Sequence, residues 1–526
     1  MPEPFSAGLT RRQALRLGAL GAGGLLLAGC AGTPAVRTAT APTGPRKRGG
    51  TFRFAPISTA GTTSADPLSI NSGYELRFAM FDSLVAPDHQ NRVQPALAEL
   101  LEPEGTDQSV WTIRLREGVE FHNGKTLDAD DVLFSLQRIL DPKTPSSASN
   151  LLKAIDLNAI KKLDKRTLRL KLTSPNSQLR RAFAPSEAAI MPVGFDPNRP
   201  VGTGPFKQVN FTPGQRWTGT RNGSYWREGR PYLDGLEFIG FADTTTARTN
   251  AVLSGQIDGI DGLHPAQLPQ ISARPNLNVL ISQSGAYQVF EMRCDKGAVF
   301  EDPRVRKAFK LLVDRPQMVK VAWNGQGAVG NDTGVWAEFD PAMDGSLPQH
   351  AQDLDQARSL LKAAGKDGMT VTLRTCQLAT GQVESANVLV QNAKAAGVTV
   401  NLDVVANRAQ YYGGQDYYTS QFKVDSDSTE TMFANTAYCF TGKGIYNNTG
   451  YDNPKVNSLY VQALAATPEK YQELMHEVSR LVWDDGPWIS WGRQNTVHVC
   501  SNKFTGAVQD ASGRFNGYQW SDISLA

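Results

Sequence analysis

The sequence predicts an α/β protein with mixed sheets and more than one lobe. Three observations carry this. Segments of period-two hydrophobicity alternate along the chain with segments of helical periodicity, the 526 residues show no internal repeat, and the length exceeds what one core serves. A globular region of roughly 480–500 residues divides because single cores stop growing well below that size.

Thr51-Phe-Arg-Phe54, directly after Gly49-Gly50, is the first strand signal. Trp111, Ile113 and Leu115 alternate with Thr112, Arg114 and Arg116, and Leu168, Leu170 and Leu172 with Arg169 and Lys171. Each alternation gives a strand with one apolar and one polar face. Between them Asp128 precedes a helix with Val132, Leu136 and Ile139 on one side. The second half is richer in helix. Asp302-Pro303 starts one through Val305, Ala308, Phe309 and Leu312, and Asp353 starts another that stops at Gly365. A helix over 383–396 ends at Gly397, and a strand follows with Val398, Val400, Leu402 and Val404 on one face. Thr467-Pro468 opens the last long helix, with Tyr471, Leu474, Val478 and Leu481.

The first thirty residues set the compartment. Arg11-Arg12 precedes an apolar run over 17–28. About a dozen residues is too short to span a bilayer, so the run reads as the core of an export signal, and the paired arginines resemble a twin-arginine leader. Leu27-Ala-Gly-Cys30 resembles a bacterial lipobox, with Cys30 the acylated residue. Residues 31–48, rich in Ala, Thr, Pro and basic side chains, read as a flexible tether. Removing 1–29 takes away three basic residues and one acidic, so a net charge of +3 becomes +1. Dispersed, near-neutral charge excludes a nucleic-acid partner. Without Cys30 four cysteines remain, Cys294, Cys376, Cys439 and Cys500. One or two disulfides and buried thiols are both open.

Motifs for catalysis are incomplete. Gly124-Lys125-Thr126 has Val119 where a phosphate loop needs glycine. Gly202-Thr-Gly204 lacks the third glycine of a dinucleotide fingerprint. His476-Glu477 has Arg480 in place of the second zincin histidine, and no Cys pair has metal-ligand spacing. No serine elbow is present. The sequence implies no enzyme, no cofactor and no metal. An exported hydrolase is the alternative from another class, and it needs a nucleophile–base pair.

Nine blocks match, in order, the extracellular solute-binding proteins of the oligopeptide, dipeptide and nickel type, known as family 5. They begin with Gly49-Gly-Thr-Phe52, Asp66-Pro-Leu68, Phe81-Asp-Ser-Leu84 and Pro95-Ala-Leu-Ala-Glu99. Trp111-Thr-Ile-Arg-Leu-Arg-Glu-Gly-Val-Glu-Phe-His-Asn-Gly124, continuing into Asp128-Ala-Asp-Asp-Val-Leu-Phe-Ser135, is the most specific. Val201-Gly-Thr-Gly-Pro-Phe206, Pro231-Tyr-Leu-Asp-Gly-Leu236, Leu253-Ser-Gly-Gln-Ile-Asp258 and Asp302-Pro-Arg-Val-Arg-Lys-Ala308 follow. The blocks span nearly all of the mature chain and resemble scaffold more than ligand contacts.

The resemblance implies a two-lobed periplasmic-binding-protein-like fold, type II, of the large class with an extra subdomain. Lobe I would hold 49–77, 200–286 and 496–526, the extra subdomain 78–199, and lobe II 287–495. Such a monomer would close over a solute in the interlobe cleft and deliver it to ABC permease subunits in the membrane. The implied solute is an oligopeptide or dipeptide, the alternatives an oligosaccharide, a nickel chelate or an opine-like compound. In peptide-binding relatives an Asp of lobe II pairs with the peptide α-amino group. Asp425 falls at the matching place in Phe422-Lys-Val-Asp425, with Asp427 as the near alternative. The loop lacks the Trp and Asp-Pro pairs usual there. Tyr417, Tyr446, Trp323 and Trp491 are the aromatic candidates for the cleft.

Overall fold

The computed structural model describes residues 45–526, apart from 70, 145, 243–245, 378, 407 and 428–430. Arg11, Arg12 and Cys30 lie outside the described residues. Among those described, no helix is long and apolar enough to cross a membrane.

Helices start where the capping chemistry places them. The Asp128 carboxylate accepts from the N–H groups of Asp130 and Asp131, and the Asp131 carboxylate accepts from Asp128 N–H, closing a capping box on Ala129–Leu140. Asp302, Asp353 and Thr467 cap Pro303–Leu312, Leu354–Ala363 and Pro468–Asp485. One expectation shifts. The strand Thr399–Val405 exposes Val404 at 55 % and buries Val405, so its alternation slips by one residue at the end.

An eleven-stranded mixed sheet runs through both halves of the chain. From one edge its order is Thr399–Val405, Thr370–Cys376, Phe422–Asp427, Leu277–Met292, Trp488–Ser501, Gly259–Ile260, Thr51–Ala55, Gly235–Ile239, Arg216–Arg221 and Phe206–Thr212, with Gly327–Val329 paired to Trp488–Ser501. Leu277–Met292 and Trp488–Ser501, 16 and 14 residues long, pair antiparallel over most of their length. One end of this ribbon meets Gly259–Ile260 and the other meets Phe422–Asp427, so a single piece of sheet joins the two lobes. The register shifts between Gln283 and Tyr287 and again between Gln288 and Val289. Such bulges bend a ribbon and change which way its side chains point.

Each lobe has its own aromatic centre. Phe300, Phe309 and Phe422 pack together in the second, and Phe54, Phe515 and Trp520 in the first. The Trp111 block lies in a separate four-stranded antiparallel sheet with Ala98–Pro103, Thr167–Lys171 and Lys161–Lys162. Gly202 and Gly204 are required by close approach. A Cβ there would stand 2.0 Å from the Met80 carbonyl oxygen or 2.4 Å from its carbon.

Candidate ligand-binding cleft

Beside the end of the ribbon lies a cleft of about 460 Å³. Its floor is the strand pair Leu277–Met292 and Phe422–Asp427, whose register sets Tyr287 opposite Asp427, Val289 opposite Asp425 and Glu291 opposite Lys423. Side chains alternate between the faces of a sheet, so these six share one face. All but Lys423 line the cleft. The intervening Phe290, Met292, Phe422 and Val424 point the other way, into the core of the second lobe, and are almost wholly buried. Trp488, paired with Glu291 across the ribbon, adds an aromatic wall. Tyr74, Ser147, Pro185 and Glu187 come from the first half of the chain, and Arg77 holds Glu187 at 2.5 Å.

Asp425 is fixed from three directions. The Tyr417 hydroxyl donates to Oδ2 at 2.5 Å, the Tyr412 hydroxyl to Oδ1 at 3.2 Å, and the Ser426 N–H to Oδ1 at 2.8 Å. Asn448 Nδ2 donates to the Tyr417 oxygen at 3.0 Å, which leaves that hydroxyl to face Asp425. Burial raises the Asp425 pKa, and the bonds from Tyr417 and Ser426 oppose the rise. Lys423 Nζ lies 3.3 Å from Glu291, donates to the Tyr417 carbonyl at 3.0 Å and sits 4.4 Å from the centre of the Tyr417 ring. Glu291 is pushed up to about 7, chiefly by burial, with Lys423 opposing and Asp425 adding. With Asp427 on the same floor, three carboxylates and one ammonium leave two net negative charges when all four are ionised. The floor is complementary to a cation. Among the described residues no group of three or more His, Cys, Asp or Glu is placed to hold a metal ion.

The family model described as "Bacterial extracellular solute-binding proteins, family 5 Middle" matches residues 92–444. The chain belongs to this family. It is a solute-binding protein of the ABC-importer type, and its family is extracytoplasmic. The glutathione-binding protein GsiB of Pectobacterium atrosepticum is 25 % identical over 476 residues, covering 84 % of this chain and 89 % of that protein. Two solved structures share the fold. The periplasmic binding protein AgaA from A. tumefaciens R10, in complex with agropinic acid, superposes with a TM-score of 0.78 at 24 % identity, covering 91 % of this chain and 99 % of its own. DppA from Helicobacter pylori, in complex with the peptide STSA, does so with 0.77 at 21 %, covering 91 % and 98 %.

In this solute-binding protein the cleft gathers Asp425, Asp427, Tyr417 and Tyr446 of the residues singled out from sequence. Tyr446 stands half-exposed, edge-to-face on Tyr438 at 5.5 Å. Trp323 and Trp491 do not line it. They stack on each other at 4.2 Å in the core of the second lobe, fully buried, with Trp323 Nε1 donating to the Thr380 carbonyl. Trp488 lines the cleft in their stead, because alternation and the nearby bulge turn Trp491 to the opposite face. Among the described residues no disulfide joins Cys294, Cys376, Cys439 or Cys500. They stand on separate elements, and burial raises the Cys294 thiol to about 11 and the Cys500 thiol to about 12. Glu291 and Tyr287 escaped the sequence reading. The available signal was one acidic residue inside the otherwise uncharged stretch Tyr287-Gln-Val-Phe-Glu-Met292.

Proposed function

We propose that this protein captures an oligopeptide or dipeptide through its free α-amino group and hands it to the membrane subunits of an ABC importer. One observation carries the reading. The Asp425 carboxylate lies in the cleft floor, held by Tyr417, Tyr412 and the Ser426 N–H, with a net negative charge around it. An ammonium placed there would gain a charge-assisted hydrogen bond worth about 1.5–3 kcal/mol, roughly a 10- to 100-fold gain in affinity. The names of GsiB and of the DppA complex, glutathione-binding and peptide-bound, support a peptide-like solute.

The ribbon Leu277–Met292 and Trp488–Ser501 supplies the hinge in this reading, with lobe I formed by 49–77, 200–286 and 496–526, the subdomain by 78–199 and lobe II by 287–495. Closing on a solute that binds the closed state better shifts the population toward that state, and no bond is made or broken. The protein acts as a binding protein, not an enzyme, works as a monomer, and is tethered through acylated Cys30 after export on the Arg11-Arg12 leader. The AgaA complex favours a second reading, in which the same anionic floor takes a non-peptide solute.

Thermal shift with random-sequence peptide pools tests the proposal. The free pool raises the melting temperature, the N-acetylated pool does not, and Asp425→Asn weakens binding of the free pool about 10- to 100-fold. Equal shifts with free and acetylated pools would refute the anchoring role.

A further inference from the structure

The cleft floor repeats its acid at a fixed interval. Asp425 and Asp427 stand two residues apart on the strand Phe422–Asp427 and share one face, which sets them about 7 Å apart along the sheet. Their cross-strand neighbours on that face are Val289 and Tyr287, both buried in the cleft wall. Asp427 is exposed, where a solute can reach it. Among the described residues the cleft lining holds four acids, Glu187, Glu291, Asp425 and Asp427, and no lysine, arginine or histidine. Two of the four are backed by a cation, Glu187 by Arg77 and Glu291 by Lys423 at 3.3 Å. Even so, the Glu291 Oε2 atom is buried and accepts no hydrogen bond in addition to that ion pair. Arg181 and Arg514 line a smaller cavity that adjoins the cleft along Tyr74, Leu151 and Pro185. One ammonium on Asp425 would offset only one of the two net negative charges of the floor. The second is left for another cation.

We propose that Asp427 makes the cleft selective for peptides whose first residue is a long-chain base, with the α-ammonium on Asp425 and the side-chain cation on Asp427. The inference rests on the peptide reading of the cleft and narrows its solute class. The spacing fits lysine. Its two nitrogens are six bonds apart, about 7 Å when the side chain is extended, which matches two positions along a strand. The stem between them would lie over Val289 and Tyr287, so its methylenes meet apolar surface while both ends meet carboxylate. Bonds from a charged donor to a charged acceptor are about twice as strong as neutral ones, so the second contact should be worth about tenfold in affinity.

Calorimetric titration of the protein at pH 7 tests this with tripeptide pools, their first residue fixed and the other two random among uncharged residues. Wild-type protein should bind the lysine pool about tenfold more tightly than the norleucine pool, which keeps the stem and lacks the charge. Shortening the base to 2,4-diaminobutyrate, whose nitrogens are four bonds apart, should remove most of that advantage. Asp427→Asn should remove it too, yet bind the norleucine pool within about threefold of wild type. That retained binding separates loss of the contact from loss of the fold. Asp427→Glu keeps the charge and should keep the advantage. The chain-length comparison uses wild-type protein alone and decides the matter if neither variant folds. Equal wild-type affinity for the lysine and norleucine pools overturns the inference and leaves the anchoring at Asp425 standing. An advantage that survives Asp427→Asn, or that ignores the length of the base, overturns it as well. Binding of no pool at all removes the peptide reading and the inference with it.

Discussion

Replacing Glu291 with glutamine exchanges one oxygen for an amide nitrogen and removes a charge that the cleft floor holds at a cost. Glu291 is 3 % exposed, and burial, opposed by Lys423 and aided by Asp425, pushes its carboxyl from 4.5 up to about 7. Between those values the folded protein binds the proton that the unfolded chain has released, so stability falls as pH rises from 4.5 to 7 and is level above 7. At 1.36 kcal/mol for each tenfold change in proton affinity, the displacement amounts to about 3 kcal/mol. Glutamine is neutral throughout, so in the variant this fall disappears. Above pH 7 the variant should be the more stable by up to about 3 kcal/mol. The gain is reduced by whatever Lys423 loses, although Lys423 keeps the Tyr417 ring and carbonyl. Urea denaturation of ligand-free protein at pH 5, 6, 7 and 8 measures both curves. Parallel profiles, with the difference between variant and wild type unchanged from pH 5 to 8, would refute the account of Glu291 as a carboxylate ionised at a cost.

Three further outcomes follow from the packing and the leader. Gly204→Ala drives a Cβ against Met80 backbone and should cost about 1–3 kcal/mol or block folding, as read by thermal melting. Trp491→Ala opens the stack with Trp323 and should cost about 3–5 kcal/mol, while calorimetry finds unchanged peptide affinity for the fraction that folds. Cys30→Ser should shift the protein from the membrane fraction to the soluble fraction, as followed by immunoblot.

Helix starts were legible because they depend on neighbours. An Asp or Thr two or three residues ahead of the backbone donors it satisfies is a local signal, and Asp128, Asp302, Asp353 and Thr467 all behave as their spacing predicts. Asp425 could be singled out by resemblance and Tyr417 as a polar-tipped aromatic of the same lobe, and the structure brings them into contact. What the sequence hid is long-range register. Nothing local announces that Val289 stands opposite Asp425, 136 positions later in the chain, or that Glu291 faces Lys423. Trp488 and Trp491 are equally aromatic, and only the pairing and bulge of their strand decide which one reaches the cleft. Arg181 and Arg514 share a cavity through a juxtaposition of distant segments that no periodicity records.

The alternation of the floor strands has a consequence for how such a site diversifies. Positions 287, 289, 291, 425 and 427 line the cleft, while 290, 292, 422 and 424 hold the second core from the same two strands. Recognition chemistry and packing therefore occupy separate, interleaved registers. A substitution at one of these odd-numbered positions changes the chemistry of the cleft wall and leaves the core composition untouched. One scaffold can in this way be refitted to new cargo by a few exchanges, provided the register holds, because a slip of one residue would exchange the two roles at once.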